Sequence, residues 1–287
     1  MKTIKLLLVP VLGLLILSFS VISSLDTKTV KYVEKHSHWR QVDDKLFMFT
    51  TETTNLQYRE FLSSLKQDGK LEEYNKYQVD SLGWTRDMAW GKPLAENYHN
   101  HSAYNDFPVV NVSHEAAQAY CVWLTNTLNT QPGFKHFFKK VECRLPNRVE
   151  WLAAAKGGNE ANMYPWGGPF VRNSKGQILA NFKYMPQSAL KQEDSATFSK
   201  QPVKITTADN SFVITTPGIS YWPNSYDLYN MCGNVAEMLN EPGTTIGGSW
   251  NTVAYYLRLD VDADPYKGWE KPNPCIGFRP VMEVIEQ

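Results

Sequence analysis

A short block in the last quarter of the chain carries the residues best suited to chemistry. It covers residues 224–237 and reads Asn-Ser-Tyr-Asp-Leu-Tyr-Asn-Met-Cys-Gly-Asn-Val-Ala-Glu. Its carboxylate (Glu237), its amides (Asn230 and Asn234) and its closely spaced carbonyls suit a hard cation such as Ca²⁺, which takes about six to eight oxygen ligands. The same composition also suits a turn-rich surface loop. From these residues alone, both interpretations remain open.

Two histidine pairs are candidate ligands for a transition metal. His36 with His38, and His99 with His101, are each two residues apart, a spacing that projects to one face in an extended segment. No third ligand accompanies either pair, so we interpret all four as solvated loop residues. His114 is expected at the surface, at the start of a helix.

Acidic and aromatic residues form two further groups. Asp260, Asp262 and Asp264 alternate along the chain. They suit a cation site or a basic partner, but we predict a solvated strand or loop. Four tryptophans in loop-like segments either line a recognition surface or pack inside: Trp84, Trp90, Trp222 and Trp269. The sequence contains no Gly-x-Ser-x-Gly elbow, phosphate-binding loop or His-Glu-x-x-His motif.

The cysteines give no metal signature. Cys121, Cys143, Cys232 and Cys275 lack Cys-x-x-Cys or zinc-type spacing. Three disulfide pairings are possible, and the sequence does not choose among them.

Composition and the N-terminus set the broad class. The 287 residues are 43% hydrophobic and 20% charged with a net charge of zero, which argues against disorder and against nucleic-acid binding. Lys2 and Lys5 precede an almost wholly apolar run over residues 6–22. We predict that residues 1–23 are an export signal cleaved near Ser23, or else a retained signal anchor, whose residues 6–22 would then be the only membrane contact. Residues 24–45 read as a polar tether, and residues 46–287 as the folded domain.

Three capped helices organise the first half of that domain. Their N-caps are Thr54, Ser113 and Asn147, and residues of helical spacing follow each cap. Residues 70–107 have little periodicity and predict a long, ordered, surface-lying excursion. Short strands are expected over residues 46–49, 107–112, 212–215, 245–250 and 278–284. This pattern predicts an α+β domain that is rich in loops.

Several segments together resemble the formylglycine-generating-enzyme, or sulfatase-modifying factor, family. They occur in the family's order over residues 46–283 and include Thr53-Thr-Asn-Leu-Gln-Tyr58, Phe107-Pro-Val-Val-Asn-Val-Ser113, Ala119-Tyr-Cys-Val-Trp123, Cys143-Arg-Leu-Pro-Asn-Arg-Val-Glu-Trp151, Tyr164-Pro-Trp-Gly167, Ala180-Asn181, the block over 224–237, Gly247-Gly-Ser-Trp250 and Gly277-Phe-Arg279. The resemblance implies a fold related in shape to C-type lectins. The stretch over residues 98–110 is most similar to the branch of gliding-motility and type IX secretion lipoproteins.

The resemblance also implies two structural calcium sites. By motif position, the ligands of the first are Asn181, the Phe182 carbonyl, Asp194 and the Ala196 carbonyl. Those of the second are Asn230, the Gly233 and Val235 carbonyls, and Glu237. Each set is made of oxygens, which calcium prefers and zinc does not.

The catalytic copper site of the family does not carry over. Catalytic members hold copper with two cysteines, and Thr252 and Leu257 occupy those positions here. A hydroxyl and an isobutyl group cannot replace thiolates that bind soft Cu(I), so no copper is expected. Cys232 lies in a motif that packs in the family and is expected to be a buried, inert thiol. Ala236 and Met238 stand where the family usually has Trp.

Three functions follow as hypotheses. The first is an exported, non-catalytic, calcium-stabilised protein that binds a protein partner in the periplasm or cell envelope. The second is an enzyme of the same fold with non-copper chemistry, such as an oxidoreductase or a protein-modifying enzyme. The third is a carbohydrate- or peptide-binding module, which rests on fold analogy alone.

Overall fold

The computed structural model describes residues 25–184, 190–192, 198–200 and 214–287. The predicted ligands Asp194 and Ala196 lie outside the described residues, as does the start of the strand expected over residues 212–215.

Helices dominate the first half of the described chain, in agreement with the capping signals. In chain order they are α1 Thr27–His36, α2 Asn55–Gln67, α3 Leu71–Lys76, α4 Gly83–Asp87, α5 Lys92–Asn97, α6 His114–Thr130, α7 Pro132–Lys135 and α8 Arg148–Lys156. Among the described residues, short 3-10 turns cover Ser102–Tyr104 and Ala254–Leu257.

Strands form three small sheets. They are β1 Trp39–Asp43, β2 Leu46–Phe49, β3 Lys140–Arg144, β4 Leu190–Gln192, β5 Phe198–Lys200, β6 Ala236–Met238, β7 Thr245–Ile246, β8 Ile276–Gly277 and β9 Val281–Glu286. The largest sheet is antiparallel, in the order β1-β2-β9-β3. The order β7-β6-β8 makes a second sheet, in which β6 and β8 are parallel, and β4 pairs with β5. The α+β, loop-rich class is confirmed.

The three predicted helix starts are correct, and the reason is local. Thr54 and Asn147 each accept a hydrogen bond from the backbone of the third helical residue, whose own side chain bonds back, so that both are full capping boxes. Ser113 accepts from the Ala116 backbone and caps α6. At the other end of α8, Gly157 takes a left-handed conformation (φ 60°) that suits glycine.

Helices α2 and α6 pack with the large sheet to form the first of three cores. Its members include Tyr58, Phe61, Tyr120 and Phe278, whose rings meet at centroid distances of 5.3–6.3 Å. A second core surrounds α8, and a third surrounds Trp84 and Trp250.

The polar segment 24–45 is not a tether from Leu25 onwards. Leu25, Val30 and Val33 of this segment are buried in the first core, and β1 pairs with β2 at the edge of the large sheet. The polar residues of α1 face solvent, while its two valines supply the face that packs. The interpretation as a tether is therefore corrected.

The segment over residues 70–107 also differs from its prediction. It forms α3, α4 and α5, and it buries Trp84, Tyr98 and His99 instead of lying on the surface. His99 is thus not a solvated loop residue, and its Nδ1 lies 3.1 Å from Asn55 Oδ1. Residues 107–112 do not form a strand, since Pro108 makes only an isolated bridge to Thr54. The conformation of this region depends on its prolines and on long-range aromatic contacts. Hydrophobic periodicity along the sequence reveals neither of them.

Within the described ranges, no helix has both the length and the apolarity needed to cross a bilayer.

Candidate functional site

The block over residues 224–237 folds through its own side chains. Asn224 Oδ1 accepts from the Tyr226 and Leu228 backbone, and its amide nitrogen donates to the Ala154 and Ala155 carbonyls at the end of α8. Backbone at positive φ in this block occurs at Asp227, Asn230, Gly233 and Asn234, residue types that adopt it more readily than others. The block is therefore a rigid turn system docked on α8.

Glu237 and Arg279 form a buried ion pair at the centre of the fold. Arg279 Nη2 donates to Glu237 Oε1 at 2.8 Å, and its Nε lies within 3.1 Å of both carboxylate oxygens. The remaining guanidinium contacts go to the Phe49 and Tyr229 carbonyls. Trp151 Nε1 donates to Glu237 Oε2 at 2.6 Å. Both charges are removed from water, and each has several hydrogen-bond partners, which a buried pair requires.

A second carboxylate, Glu52, lies beside this pair. Its Oε1 accepts from Asn234 Nδ2 at 2.8 Å, and its Oε2 accepts from Asn230 Nδ2 at 3.3 Å. Burial raises the pKa of Glu52 to about 7, although the Arg279 charge opposes that rise. We refer to Glu52, Trp151, Asn234, Glu237 and Arg279 as the buried polar network. It joins the end of β2, helix α8, the 224–237 block and the segment before β9.

Sequence reasoning missed the role of Glu52 and of the Glu237–Arg279 pair. Arg279 and Trp151 belong to family motifs that assign them no role, and Glu52 stands just before the Thr53-Thr-Asn motif. The available signal was charge: Glu52 and Arg279 each follow closely on apolar strand or core residues, where a charged side chain needs a partner.

Asn181, the first predicted calcium ligand, has an oxygen available for a cation. Its Nδ2 donates to the Ile214 carbonyl and to Asn234 Oδ1, whereas its buried Oδ1 has no hydrogen-bond partner among the described residues. A buried amide oxygen without a donor fits a calcium ligand. Phe182 is adjacent, so two members of the first predicted set lie together.

In the second predicted set, the carboxylate already has other partners. Glu237 accepts from Arg279 and Trp151, and the Asn230 amide nitrogen donates to Glu52 and to the Gly218 carbonyl. Asn230, Gly233, Val235 and Glu237 lie in one turn, but the described contacts neutralise the carboxylate through Arg279. This second ligand set stays a prediction of the resemblance.

Thr252 and Leu257, which stand where the resemblance implies copper cysteines, are both buried. Thr252 Oγ1 accepts from the Ser249 backbone N–H at 2.8 Å and donates to the Ser249 carbonyl at 3.0 Å. Leu257 is fully buried in the second core. A Cβ added to Gly248 would lie 2.9 Å from both Thr252 Oγ1 and Leu257 Cδ1, so both side chains lie next to Gly248. We call Gly248, Thr252 and Leu257 the wall at Gly248. The described contacts keep it buried and partly apolar.

All four cysteines are buried, and none of them forms a disulfide in the part of the chain that the structure describes. Cys232 Sγ donates to the Leu257 carbonyl at 2.9 Å, and burial raises its thiol pKa well above the ordinary value. A protonated, buried thiol is a poor metal ligand and nucleophile, so the predicted inert state of Cys232 agrees with this environment.

The three alternating aspartates bind separate partners. Asp260 accepts from Arg258, Asp262 from Arg148, and Asp264 from the Thr245 backbone and hydroxyl. They do not converge, and in the described ranges no three His, Cys, Asp or Glu residues form a group that could hold a metal. Trp90 and Trp222 are about half exposed, whereas Trp84 is buried. His114 begins α6 as predicted, with Nε2 2.8 Å from the Leu239 carbonyl.

Comparison with known proteins identifies the family of this chain. The family model described as "Sulfatase-modifying factor enzyme 1-like domain" matches residues 24–284. The formylglycine-generating enzyme of Mus musculus is 30% identical over 137 residues, which is 48% of this chain and 28% of that protein. The inactive C-alpha-formylglycine-generating enzyme 2 of Bos taurus is 30% identical over 164 residues, 57% of this chain and 38% of that protein. The chain therefore spans a minor part of the length of these relatives.

A solved structure shows likeness in fold alone. Treponema denticola variable protein 1 superposes with a TM-score of 0.50 at 17% identity, covering 86% of this chain and 91% of that chain.

Proposed function

The chain belongs to the family of sulfatase-modifying factor enzyme 1-like domains, and we propose that it is a non-catalytic member that binds a protein partner. In this proposal it is an exported component of a cell-envelope assembly, of the gliding or type IX secretion kind, and calcium stabilises its loops. Copper-dependent formylglycine formation is not part of its function.

The observation that carries the proposal is the wall at Thr252 and Leu257. Thiolates are the ligands that Cu(I) selects, and neither residue has one. Both side chains are engaged in the packing and hydrogen bonds of the fold itself. A relative whose name includes the word inactive matches more of the chain than the Mus musculus enzyme does. These facts support loss of the copper chemistry with retention of the scaffold.

The calcium part of the proposal rests on Asn181. Its side-chain oxygen is buried beside the 224–237 block and accepts no hydrogen bond from any residue that the structure describes, and a cation there would link two loops. We expect elemental analysis to find calcium and a strong chelator to lower the thermal midpoint. The Asn181→Ala variant should lose most of the chelator effect. A wild type that contains no calcium and ignores the chelator contradicts this part.

A groove gives the binding role a surface that can be tested. It has a volume of about 430 Å³, lies between α2, α3 and α6, and is lined by Phe61, Tyr77, Trp123 and Asn126 among others. Val122 on its rim is 60% exposed. Aromatic side chains with a polar rim are typical of protein-binding surfaces.

A pull-down from envelope extract tests the function. The full chain as bait should retain one partner at a constant partner-to-bait ratio. Val122→Glu should reduce that ratio by at least about tenfold, because a charged side chain disfavours burial at the interface. Val149→Glu is the matched control, because Val149 is a 77% exposed valine on α8, away from the groove. Absence of any stable partner, or a stoichiometric redox metal in the purified chain, counts against the proposal and favours an enzyme.

A further inference from the structure

An aromatic groove opens between α1 and α7. It has a volume of about 280 Å³, and its lining includes Tyr32, His36, Trp39, Phe134 and Phe137. The Tyr32 ring stacks on His36 at 4.2 Å and meets Phe137 at 4.6 Å. Tyr32 is nevertheless 48% exposed. The groove therefore presents aromatic rings to solvent that are held in place by one another.

Six exposed lysines lie on the segments that line this groove or follow them, in a chain with no net charge. Lys28, Lys31 and Lys35 lie on α1, Lys135 ends α7, Lys139 precedes β3 and Lys140 begins it. Lys28 and Lys35 are four and three residues from Tyr32 and share its helix face. Lys139 lies 3.7 Å from Glu286, a pair that is exposed on both sides. We call the groove and these lysines the basic aromatic face.

The charge and the aromatic rings of this face point to an anionic bilayer as its occupant. The apolar run over residues 6–22 ends five residues before α1 begins at Thr27. Five residues span at most about 18 Å, so a retained signal anchor would bring the start of α1 to the membrane surface. Rings together with lysines, next to an apolar run, are typical of protein surfaces at the headgroup level of a bilayer.

We infer that the basic aromatic face binds an anionic phospholipid bilayer. The lysines contact headgroup phosphates and keep their stems along the surface, while Tyr32 and Phe137 enter the interface between headgroups and acyl chains. This inference goes beyond the proposed function, because it assigns a lipid surface in addition to a protein partner. It also places membrane contact in the folded domain itself, independent of residues 6–22.

The inference is testable without the apolar run. Residues 24–287 include every described helix and strand and the family match, so this part carries the complete fold. It should co-sediment with vesicles of phosphatidylglycerol and phosphatidylcholine but not with phosphatidylcholine alone. Binding should fall steeply between about 0.1 and about 0.5 M salt, since exposed charges are then screened.

Matched variants separate the lipid contact from general charge. Reversing Lys31, Lys35 and Lys135 to Glu should weaken binding at least about thirtyfold, because each lysine near an anionic surface contributes severalfold. Tyr32→Ser with Phe137→Ser should weaken binding about tenfold and leave the salt dependence in place. The control reverses three exposed lysines elsewhere, Lys175, Lys267 and Lys271, and should keep most of the binding.

Two results would overturn the inference. One is equal affinity for neutral and anionic vesicles, including no affinity for either. The other is a control variant that loses as much binding as the Lys31, Lys35 and Lys135 variant, with unchanged thermal midpoints in both.

Discussion

The buried polar network and the wall at Gly248 differ in the side chains that fill them and in the contacts that those side chains make. Around Arg279, charged and polar groups far apart in sequence satisfy one another, with Glu237 accepting from both Arg279 and Trp151. At Gly248, Thr252 and Leu257 stand at the two positions that the resemblance assigns to copper cysteines, and they bond and pack locally. Both regions are buried and ordered. They differ in chemistry.

This contrast separates the residues that hold the fold from those that would perform a reaction. The network joins β2, α8, the 224–237 block and the segment before β9, so its loss would affect all of them. At the wall, by contrast, each side chain is satisfied in place: Thr252 by hydrogen bonds with Ser249, and Leu257 by apolar packing. We therefore expect large effects on stability from changes in the network and small ones from changes in the wall.

The largest effect is expected for Arg279→Met. It leaves Glu237 charged and buried without its cation, which costs about 3–5 kcal/mol in the free energy of unfolding. Denaturant titration measures this loss. Combining it with Glu237→Gln should recover part of the stability, because the unpaired charge is then removed.

Arg258→Met is the control for that prediction. Arg258 pairs with Asp260 at the surface, where an ion pair contributes little. If both arginine variants lose the same stability, the central role of the network is wrong.

The pH dependence of stability gives the next effect. The pKa of Glu52 is raised from 4.5 to about 7, so between these pH values the folded state keeps a proton that the unfolded state has lost. The contribution of Glu52 is fully present below pH 4.5 and is lost as the pH rises through about 7. The loss is about 3 kcal/mol over this window. Glu52→Gln should remove it, measured as the difference between the two stability–pH curves.

His99 supplies a control of opposite sign. Burial lowers its pKa to about 3, so its contribution is lost as the pH falls. The free energy of unfolding of wild type minus that of His99→Gln should therefore rise with pH. The same difference for Glu52→Gln should fall with pH. Two difference curves of the same sign would contradict both assignments.

Trp151→Phe should have a moderate effect. It keeps most of the ring but removes the N–H that donates to Glu237 Oε2 at 2.6 Å. Loss of a hydrogen bond to a charged group costs about 1.5–3 kcal/mol. Thermal or denaturant unfolding measures this loss. A loss smaller than that of Thr252→Val, the variant described next, would show that this hydrogen bond is not central to the network.

The smallest effect is expected at the wall. Thr252→Val keeps the shape and removes the hydrogen bonds with Ser249, at a cost of about 1 kcal/mol. Thr252→Ser, which keeps the hydroxyl, should be closer to wild type. A Thr252→Val loss as large as that of Arg279→Met would remove the distinction between the two regions.

Local signals in the sequence predicted local structure well. The capping boxes at Thr54 and Asn147 fixed two helix starts, because both partners of a capping box lie within three residues. The family motifs predicted the fold class, which the family match confirms.

Long-range contacts were not predictable in the same way. Glu237 and Arg279 are 42 residues apart, and no local pattern reports their pairing. The burial of Trp84 and His99 likewise depends on packing against distant segments. The polar composition of residues 24–45 concealed two buried valines, which are enough to dock a helix of ten residues.

Loss of the copper chemistry is tested most directly by Cu(I) binding followed by peptide oxidation. The purified chain is mixed with Cu(I) without oxygen, washed with a competing chelator, and then given oxygen and a sulfatase peptide that contains the target cysteine. Thr252→Cys with Leu257→Cys is the positive control, because both side chains lie next to Gly248, and Thr252→Cys alone is its match. We predict that the wild type retains no stoichiometric copper and leaves the peptide cysteine unchanged by mass spectrometry, while the double variant retains copper. Conversion of the cysteine to formylglycine by the wild type would contradict the proposed non-catalytic function.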